Sequence, residues 1–235
     1  MNIAAMNNVV YGYDGVPVIH NVSLRIESGE FIAVSGPNGA AKSTLLRLLL
    51  GLVKPWSGEV SYAPDFNRKA IGYLPQQAAS FNSGFPSKVI ELVRSGCYPK
   101  LGWFRRFGAE QHALVEWSLR RAGMWEYRSR KIGGLSGGQK QKACIARVMA
   151  QQPDLVVLDE PVTGMDAGSR LQFYQWMRDY VSADARRTVL MVTHGLDEAR
   201  PYLDRVIRLE GKEEDCQCFT SNSCSAPFGQ EVLLH

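Results

Sequence analysis

Residues 35–46 read SGPNGAAKSTLL and hold almost all of the phosphate-binding pattern G-x-x-x-x-G-K-[ST]. The pattern has glycine directly before the lysine, where this sequence has Ala41. An apolar run, FIAVSG, precedes the loop, and STLLRLLLGL, which has helical length and apolar content, overlaps its end. Strand, glycine turn and helix in this order predict backbone N–H groups that face a phosphate. Taken alone, the stretch also fits an ordinary glycine-containing turn.

Each position of this loop has an expected task. Gly36 and Gly39 let the backbone come close to the phosphates. Lys42 is expected to reach the β- and γ-phosphates, and the Ser43 hydroxyl to bind Mg²⁺. Ala41 adds one methyl group, which we expect the loop to tolerate provided that φ is negative and the methyl points away from the phosphates.

Two later apolar runs, DLVVLDE (154–160) and RTVLMVTH (187–194), flank a helical stretch at 171–181. Apolar strands that alternate with helices predict an α/β fold with a mainly parallel sheet. Residues 81–150 are mostly helical in pattern and predict an inserted helical subdomain. Residues 6–30 alternate β-branched and polar residues around turn signals, which predicts a small antiparallel sheet.

Composition excludes several classes of protein. The net charge of +4 is mild for 235 residues and does not indicate a nucleic-acid footprint. No apolar run approaches the roughly 18 to 20 residues that span a bilayer, so we expect no membrane crossing by this chain. The first residues lack the basic start and long apolar core of an export signal, so the cytosol and reduced cysteines are expected.

A pair of carboxylates ends the run at 154–160. Apolar residues 155–158 deliver Asp159 and Glu160 to the carboxyl end of a strand, where ligands bind in open α/β sheets. We expect Asp159 to hold magnesium through water, and Glu160 to orient and deprotonate the water that attacks the γ-phosphate. The alternative is a pair of helix-capping carboxylates.

A second glycine turn, LSGGQ at 135–139, opens another helix. Ser136, Gly137 and Gly138 offer a hydroxyl and free amides to an anion, and a second phosphate site makes sense if it faces the nucleotide of another subunit. LSGGQ followed by LDEP resembles the signature and Walker B segments of ABC-type ATPases. The resemblance covers roughly residues 9–209 and departs from the pattern at Ala41 and in the cysteine-bearing end.

The resemblance implies the ABC-type P-loop NTPase fold for residues 1–211, with a separate tail at 212–235. It implies that Gln76 is the Q-loop glutamine that touches magnesium and the attacking water. Asp166 resembles the D-loop aspartate of the dimer seam, and His194 the switch histidine at the γ-phosphate, the alternative being a buried histidine at a strand end. Tyr13 resembles the aromatic residue that stacks on adenine, with Tyr11 a close competitor. The implied nucleotide contacts of the two glycine loops are Gly36, Asn38, Gly39, Ala40, Ala41, Lys42, Ser43, Thr44, Ser136, Gly137, Gly138 and Gln139.

The function implied is that of an ATP-hydrolysing motor subunit, with ATP and Mg²⁺ as cofactors. Its implied partners are a second copy of the chain, an integral membrane permease and, through it, an extracellular or periplasmic metal-binding protein. That places it on the cytoplasmic face of the cell membrane. A repair-type relative would carry a long coiled coil, and a ribosome-acting relative two cassettes, whereas this chain has neither. A non-catalytic relative would be expected to lack Glu160 or His194.

Cargo follows only from the resemblance. Residues 76–108 and 123–128 resemble the ATPases of zinc and manganese importers, so zinc or manganese import is the expectation. The alternatives are a siderophore or organic solute, or a non-transport ABC ATPase. The tail has Cys216, Cys218, Cys224 and His235, which either bind a metal or belong to a reduced, disordered segment.

Overall fold

The computed structural model describes residues 1–78, 86–101, 107–211 and 216–222, and for residues 100, 210, 211 and 216–222 it describes only the backbone. The chain divides into two compact units, which are described separately. The first comprises Met1–Phe66 and Tyr180–His235, and the second Asn67–Asp179. No helix in the described ranges has both the length and the hydropathy needed to cross a bilayer.

In chain order the strands and helices are Asn2–Tyr13 (β1), Val16–Glu27 (β2), Phe31–Ser35 (β3), Lys42–Leu49 (α1), Ser57–Tyr62 (β4), Ile71–Leu74 (β5), Val89–Ser95 (α2), Ala109–Arg121 (α3), Gly137–Ala150 (α4), Leu155–Asp159 (β6), Ala167–Ser182 (α5), Thr188–Val192 (β7), Leu196–Ala199 (α6), Arg205–Gly211 (β8) and Cys216–Asn222 (β9). Short 3₁₀ turns occupy Arg68–Ala70, Tyr98–Lys100, Trp125–Tyr127, Ile132–Gly134 and Arg200–Tyr202.

The first unit contains the antiparallel sheet expected near the N-terminus. β1 pairs with β2 on one side and with β4 on the other. Asp14 and Gly15 join β1 to β2 with φ values of 50° and 80°, as a two-residue hairpin turn requires. β4 was not anticipated, because it comes from beyond the phosphate loop and its side chains do not alternate: the first three are exposed and the last three are half-buried.

A second set of strands in this unit is parallel. β3 lies between β7 and β8 and runs parallel to both. Every residue of β7 and all but the last of β3 are buried, which explains why both segments are continuously apolar. β9 pairs antiparallel with β8. Residues 216–222 therefore form a strand, which differs from the disordered alternative considered for the tail.

The second unit holds helices on a short parallel pair of strands, β5 and β6. α2, α3 and α4 pack on one another around a fully or nearly buried apolar core, which is the helical subdomain expected inside the α/β fold. Its buried members are Val89, Val93, Cys97, Val115, Leu119, Met124, Ile132, Leu135, Ala143, Ala146 and Ala150. The boundaries 1–211, 81–150 and 212–235 stay predictions.

Candidate nucleotide site

The phosphate loop connects β3 to α1, and it curls round the ammonium group of Lys42. The Nζ atom donates hydrogen bonds to the carbonyl oxygens of Gly36 at 2.8 Å and Pro37 at 2.7 Å. Lys42 is only 7% exposed. The lysine is therefore held inside the loop, where exchanging carbonyl oxygens for phosphate oxygens needs only a local movement.

Glycine is required at two loop positions for different reasons. A side chain at Gly36 would place its Cβ 2.3 Å from the carbonyl oxygen of Leu209, which is a clash with backbone. Gly39 has open space around it but a φ of 85°, which disfavours residues with a Cβ. Packing against Leu209 therefore requires glycine at Gly36 and backbone conformation favours it at Gly39, while their close approach to an anion stays a prediction.

Ala41 does not meet the condition under which we expected the loop to tolerate it. That condition was a negative φ, but the structure has φ 54° and ψ 23°, the left-handed helical conformation, directly before α1 begins. A Cβ in this conformation crowds the following carbonyl oxygen. The loop keeps the turn that glycine normally makes there, and the alanine bears the strain.

Tyr13 lies against the first turn of α1. Its hydroxyl and the Thr44 hydroxyl are 3.3 Å apart, and this hydrogen bond lowers the pKa of Tyr13 below its ordinary value. Tyr11 packs edge-to-face on Tyr13 with ring centroids 5.2 Å apart, and its ring centroid lies 6.1 Å from that of Trp56. Of the two candidates, Tyr13 is hydrogen-bonded to Thr44, a residue of the predicted nucleotide-contacting set, while its stacking role stays a prediction.

His194 follows the end of β7 in the first unit. The structure exposes its side chain, so the alternative of a buried strand-end histidine is wrong. Thr193 holds the turn at this point, because its hydroxyl accepts a hydrogen bond from the Gly195 N–H at 3.1 Å.

In the second unit, the two carboxylates at the end of β6 lie in different environments. Asp159 ends the strand and is 3% exposed, whereas Glu160 is partly exposed and has a φ of 51°. Thr163 donates a hydrogen bond of 3.5 Å to Glu160 Oε2. Left-handed backbone at a non-glycine residue costs on the order of 1–3 kcal/mol and is concentrated at functional sites. The strained backbone therefore favours a functional role for Glu160 over the alternative of a helix-capping carboxylate.

Gln76 leaves the same sheet edge as Glu160. Leu74 of β5 pairs in register with Leu158 of β6, and each predicted residue comes two positions later in its chain. Gln76 is exposed in a turn that the Ala78 N–H closes on the Pro75 carbonyl at 3.0 Å. The parallel strand ends thus bring two of the predicted catalytic residues to one edge.

The second glycine turn begins α4 with a reciprocal cap. Gln139 N–H donates to Ser136 Oγ at 3.3 Å, and Ser136 N–H donates to Gln139 Oε1 at 3.0 Å. A Cβ on Gly138 would lie 2.6 Å from the Gly164 carbonyl oxygen, whereas one on Gly137 would meet open space. The turn that carries Gly164 therefore contacts the start of α4 backbone to backbone.

Asp166 begins α5 through contacts that sequence reasoning missed. It accepts hydrogen bonds from Ser169 N at 2.9 Å and Ser169 Oγ at 2.5 Å, and Lys142 Nζ donates to that hydroxyl at 2.6 Å. The bonds from Ser169 lower the pKa of Asp166, and the Lys142 charge acts in the same direction. The D-x-x-S spacing is a helix-start pattern that could have indicated the Ser169 contact from sequence.

A phosphate loop between a buried strand and a helix, with an acidic pair at the end of another parallel strand, defines a P-loop nucleoside triphosphatase. The profile of the ABC transporter family matches residues 19–163. The chain is 51% identical over 232 residues to the high-affinity zinc uptake system ATP-binding protein ZnuC of Bacillus subtilis (strain 168), with 97% of this chain and all of that protein covered. This chain belongs to the ABC transporter family.

A second relative and a solved structure also support membership of this family. The manganese transport system ATP-binding protein MntB of Halalkalibacterium halodurans is 38% identical, with 88% of this chain and 82% of that protein covered. A solved dimeric ATP-binding cassette in a post-hydrolysis state, bound to ADP and Pi, superposes with a TM-score of 0.76 at 29% identity, covering 88% of this chain and 96% of the other. The chain is thus an ATP-binding cassette of the ATPase type, and the predicted fold class is confirmed. The roles of individual site residues stay predictions.

Proposed function

We propose that this chain is the ATP-hydrolysing motor subunit of an importer for zinc. The observation that carries the proposal is the 51% identity to a zinc uptake ATP-binding protein over the whole of that protein. Because the match covers 97% of this chain, it extends over most of residues 76–108 and 123–128, the segments that resemble the ATPases of zinc and manganese importers. Manganese is the second candidate cargo, because the manganese transport relative is also similar over most of its length.

Hydrolysis in this proposal uses the residues for which the sequence predicted catalytic and phosphate-binding roles. Lys42 and the loop amides bind the phosphates of ATP, Glu160 deprotonates the attacking water, and His194 contacts the γ-phosphate. Ser43, Gln76 and Asp159 supply hydroxyl, amide and carboxylate oxygens, the hard donors that Mg²⁺ prefers, so this set fits the magnesium that accompanies ATP. Bound magnesium would neutralise charge on the phosphate oxygens.

The proposed partners follow from the second glycine turn. Ser136, Gly137 and Gly138 form a capped helix start that is suited to an anion. Since each chain already has a phosphate loop for its own nucleotide, this second anion site is available to the nucleotide of another copy. Two copies therefore bind ATP between the loop of one and the signature turn of the other. An integral membrane permease, served by an extracellular or periplasmic metal-binding protein, completes the importer and holds the dimer at the cytoplasmic face of the membrane.

Cellular metal content tests this proposal. In cells that carry the gene, its deletion is expected to lower zinc content, measured by elemental mass spectrometry, and to arrest growth under zinc chelation. The wild-type gene and added zinc restore growth, whereas Lys42→Ala does not, because the phosphate-binding ammonium group is lost. Glu126→Gln, a change at an exposed carboxylate of the second unit, is the control and restores growth like wild type.

Two results separate the candidates. Loss of manganese with unchanged zinc would assign the importer to manganese. Unchanged zinc and manganese, together with lost uptake of a siderophore or an organic solute, would contradict the metal proposal and leave the ATPase.

A further inference from the structure

Five basic side chains of the second unit form a continuous group, here called the basic ribbon: Lys88, Arg120, Arg128, Arg130 and Lys131. Lys88 and Lys131 face each other across an antiparallel bridge. The carbonyl oxygens of Arg128 and Arg130 accept hydrogen bonds from Ile90 N at 2.9 Å and Val89 N at 3.0 Å, which ties their segment to the start of α2.

Aromatic rings hold the arginines of the basic ribbon in place. The guanidinium carbons of Arg120 and Arg128 lie 4.6 Å and 4.4 Å from the centroid of the Trp125 ring, and that of Arg130 lies 4.8 Å from the Tyr127 centroid. Both rings are half-buried and pack against the core of α2, α3 and α4. Because the core holds the rings in place, the three guanidinium groups have defined positions. Cation–π attraction to the rings offsets part of the repulsion among the positive charges.

The basic ribbon keeps an excess of positive charge, although the exposed Glu126 lies between Trp125 and Tyr127 in the sequence. Arg120 pairs with Glu116 at 2.8 Å. Within the described ranges, no carboxylate forms an ion pair with Lys88, Arg128, Arg130 or Lys131. The nearby Glu91 carboxylate accepts a hydrogen bond from the Lys88 backbone N–H at 2.8 Å. Like charges gathered on one surface raise the local positive potential, which attracts anions.

We propose that the basic ribbon binds the phosphates of anionic lipid headgroups. Its charge is spread along a surface rather than collected in a pocket, and groups of Lys and Arg beside a membrane are attracted to anionic lipid headgroups. Lys88, Arg120, Arg130 and Lys131 are exposed. The choice of a membrane as the partner rests on the proposed function, which puts the chain at the cytoplasmic face.

Vesicle binding by the purified full-length chain tests the inference without permease or zinc, so its outcome is independent of the cargo. The chain is expected to bind phosphatidylglycerol vesicles in a flotation assay, to release as salt is raised, and not to bind phosphatidylcholine vesicles. Arg128→Gln with Arg130→Gln is expected to weaken the partition coefficient by about 25-fold, or about fivefold for each charge removed.

The matched control is Arg186→Gln with Arg187→Gln, a basic pair of the first unit in which Arg187 also lies on a ring, 4.4 Å from the Tyr180 centroid. It should bind vesicles like wild type. If thermal unfolding shows that the Arg128 and Arg130 variant is unstable, Lys88→Gln with Lys131→Gln replaces two exposed lysines and should show the same loss. Equal binding by ribbon and control variants would overturn the proposal. A ribbon variant that binds vesicles like wild type but no longer co-purifies with the permease from cells would overturn it too, because the ribbon would then be a protein contact.

Discussion

Two non-glycine residues of the predicted site, Ala41 and Glu160, have left-handed backbone conformations, with φ of 54° and 51°. Both positions were identified from the sequence, but the negative φ on which tolerance of Ala41 depended is not the φ that the loop has. A residue type shows that a Cβ is present but does not show the φ that a loop imposes on it. The Lys142–Ser169–Asp166 chain was missed for a related reason, since Lys142 is far from Asp166 in sequence and only the packing of two helices joins them.

Ala41→Gly is expected to stabilise the nucleotide-free protein. Removing the Cβ from a left-handed residue relieves about 1 kcal/mol of strain in the folded state. The greater conformational entropy of glycine in the unfolded chain offsets part of this gain in the free energy of unfolding. Thermal unfolding should show a melting temperature higher by about 1–3 °C. Ala40→Gly is the control of opposite sign, because Ala40 is buried and is not in the left-handed region, so its melting temperature should fall. A lower melting temperature for Ala41→Gly would contradict the observed strain.

At the scale of elements, apolar runs predicted β3, β6 and β7 well, because strands buried on both faces leave a continuous apolar pattern. β4 and β9 were not predicted. Their sequences are polar or mixed and do not favour a strand by themselves. Pairing with β1 and β8 stabilises them as strands. The start of α4 was predicted correctly from LSGGQ, since a serine cap and a glutamine three residues later form a local pattern.

Gly138→Ala is expected to disturb the start of α4, while Gly137→Ala is its matched control. The added Cβ at Gly138 would lie 2.6 Å from the Gly164 carbonyl, so helix and turn must separate, whereas the same methyl at Gly137 meets nothing. Gly138→Ala should lower the melting temperature by several degrees and lower ATP turnover, and Gly137→Ala should keep the wild-type melting temperature. Equal melting temperatures for the two variants would contradict the close backbone contact.

At the scale of the whole molecule, each chain presents one phosphate loop in its first unit and one signature turn in its second. The sequence alone predicted a partner copy, because two anion sites are redundant within one chain that binds one ATP. No predicted site residue indicates the cargo, since each predicted role concerns ATP, magnesium or the partner copy, and similarity to zinc and manganese transport proteins carries the cargo inference.

The most direct test of the central claim, an ATPase that works as an ATP-bound dimer, is Glu160→Gln measured for turnover and for mass in the presence of ATP and Mg²⁺. Losing the base should lower ATP turnover by about 100-fold or more while the phosphate contacts remain. The variant should therefore elute as a dimer in ATP and as a monomer without it, and Glu126→Gln should hydrolyse ATP like wild type. Near-normal turnover by Glu160→Gln, with a monomer in ATP, would contradict the account.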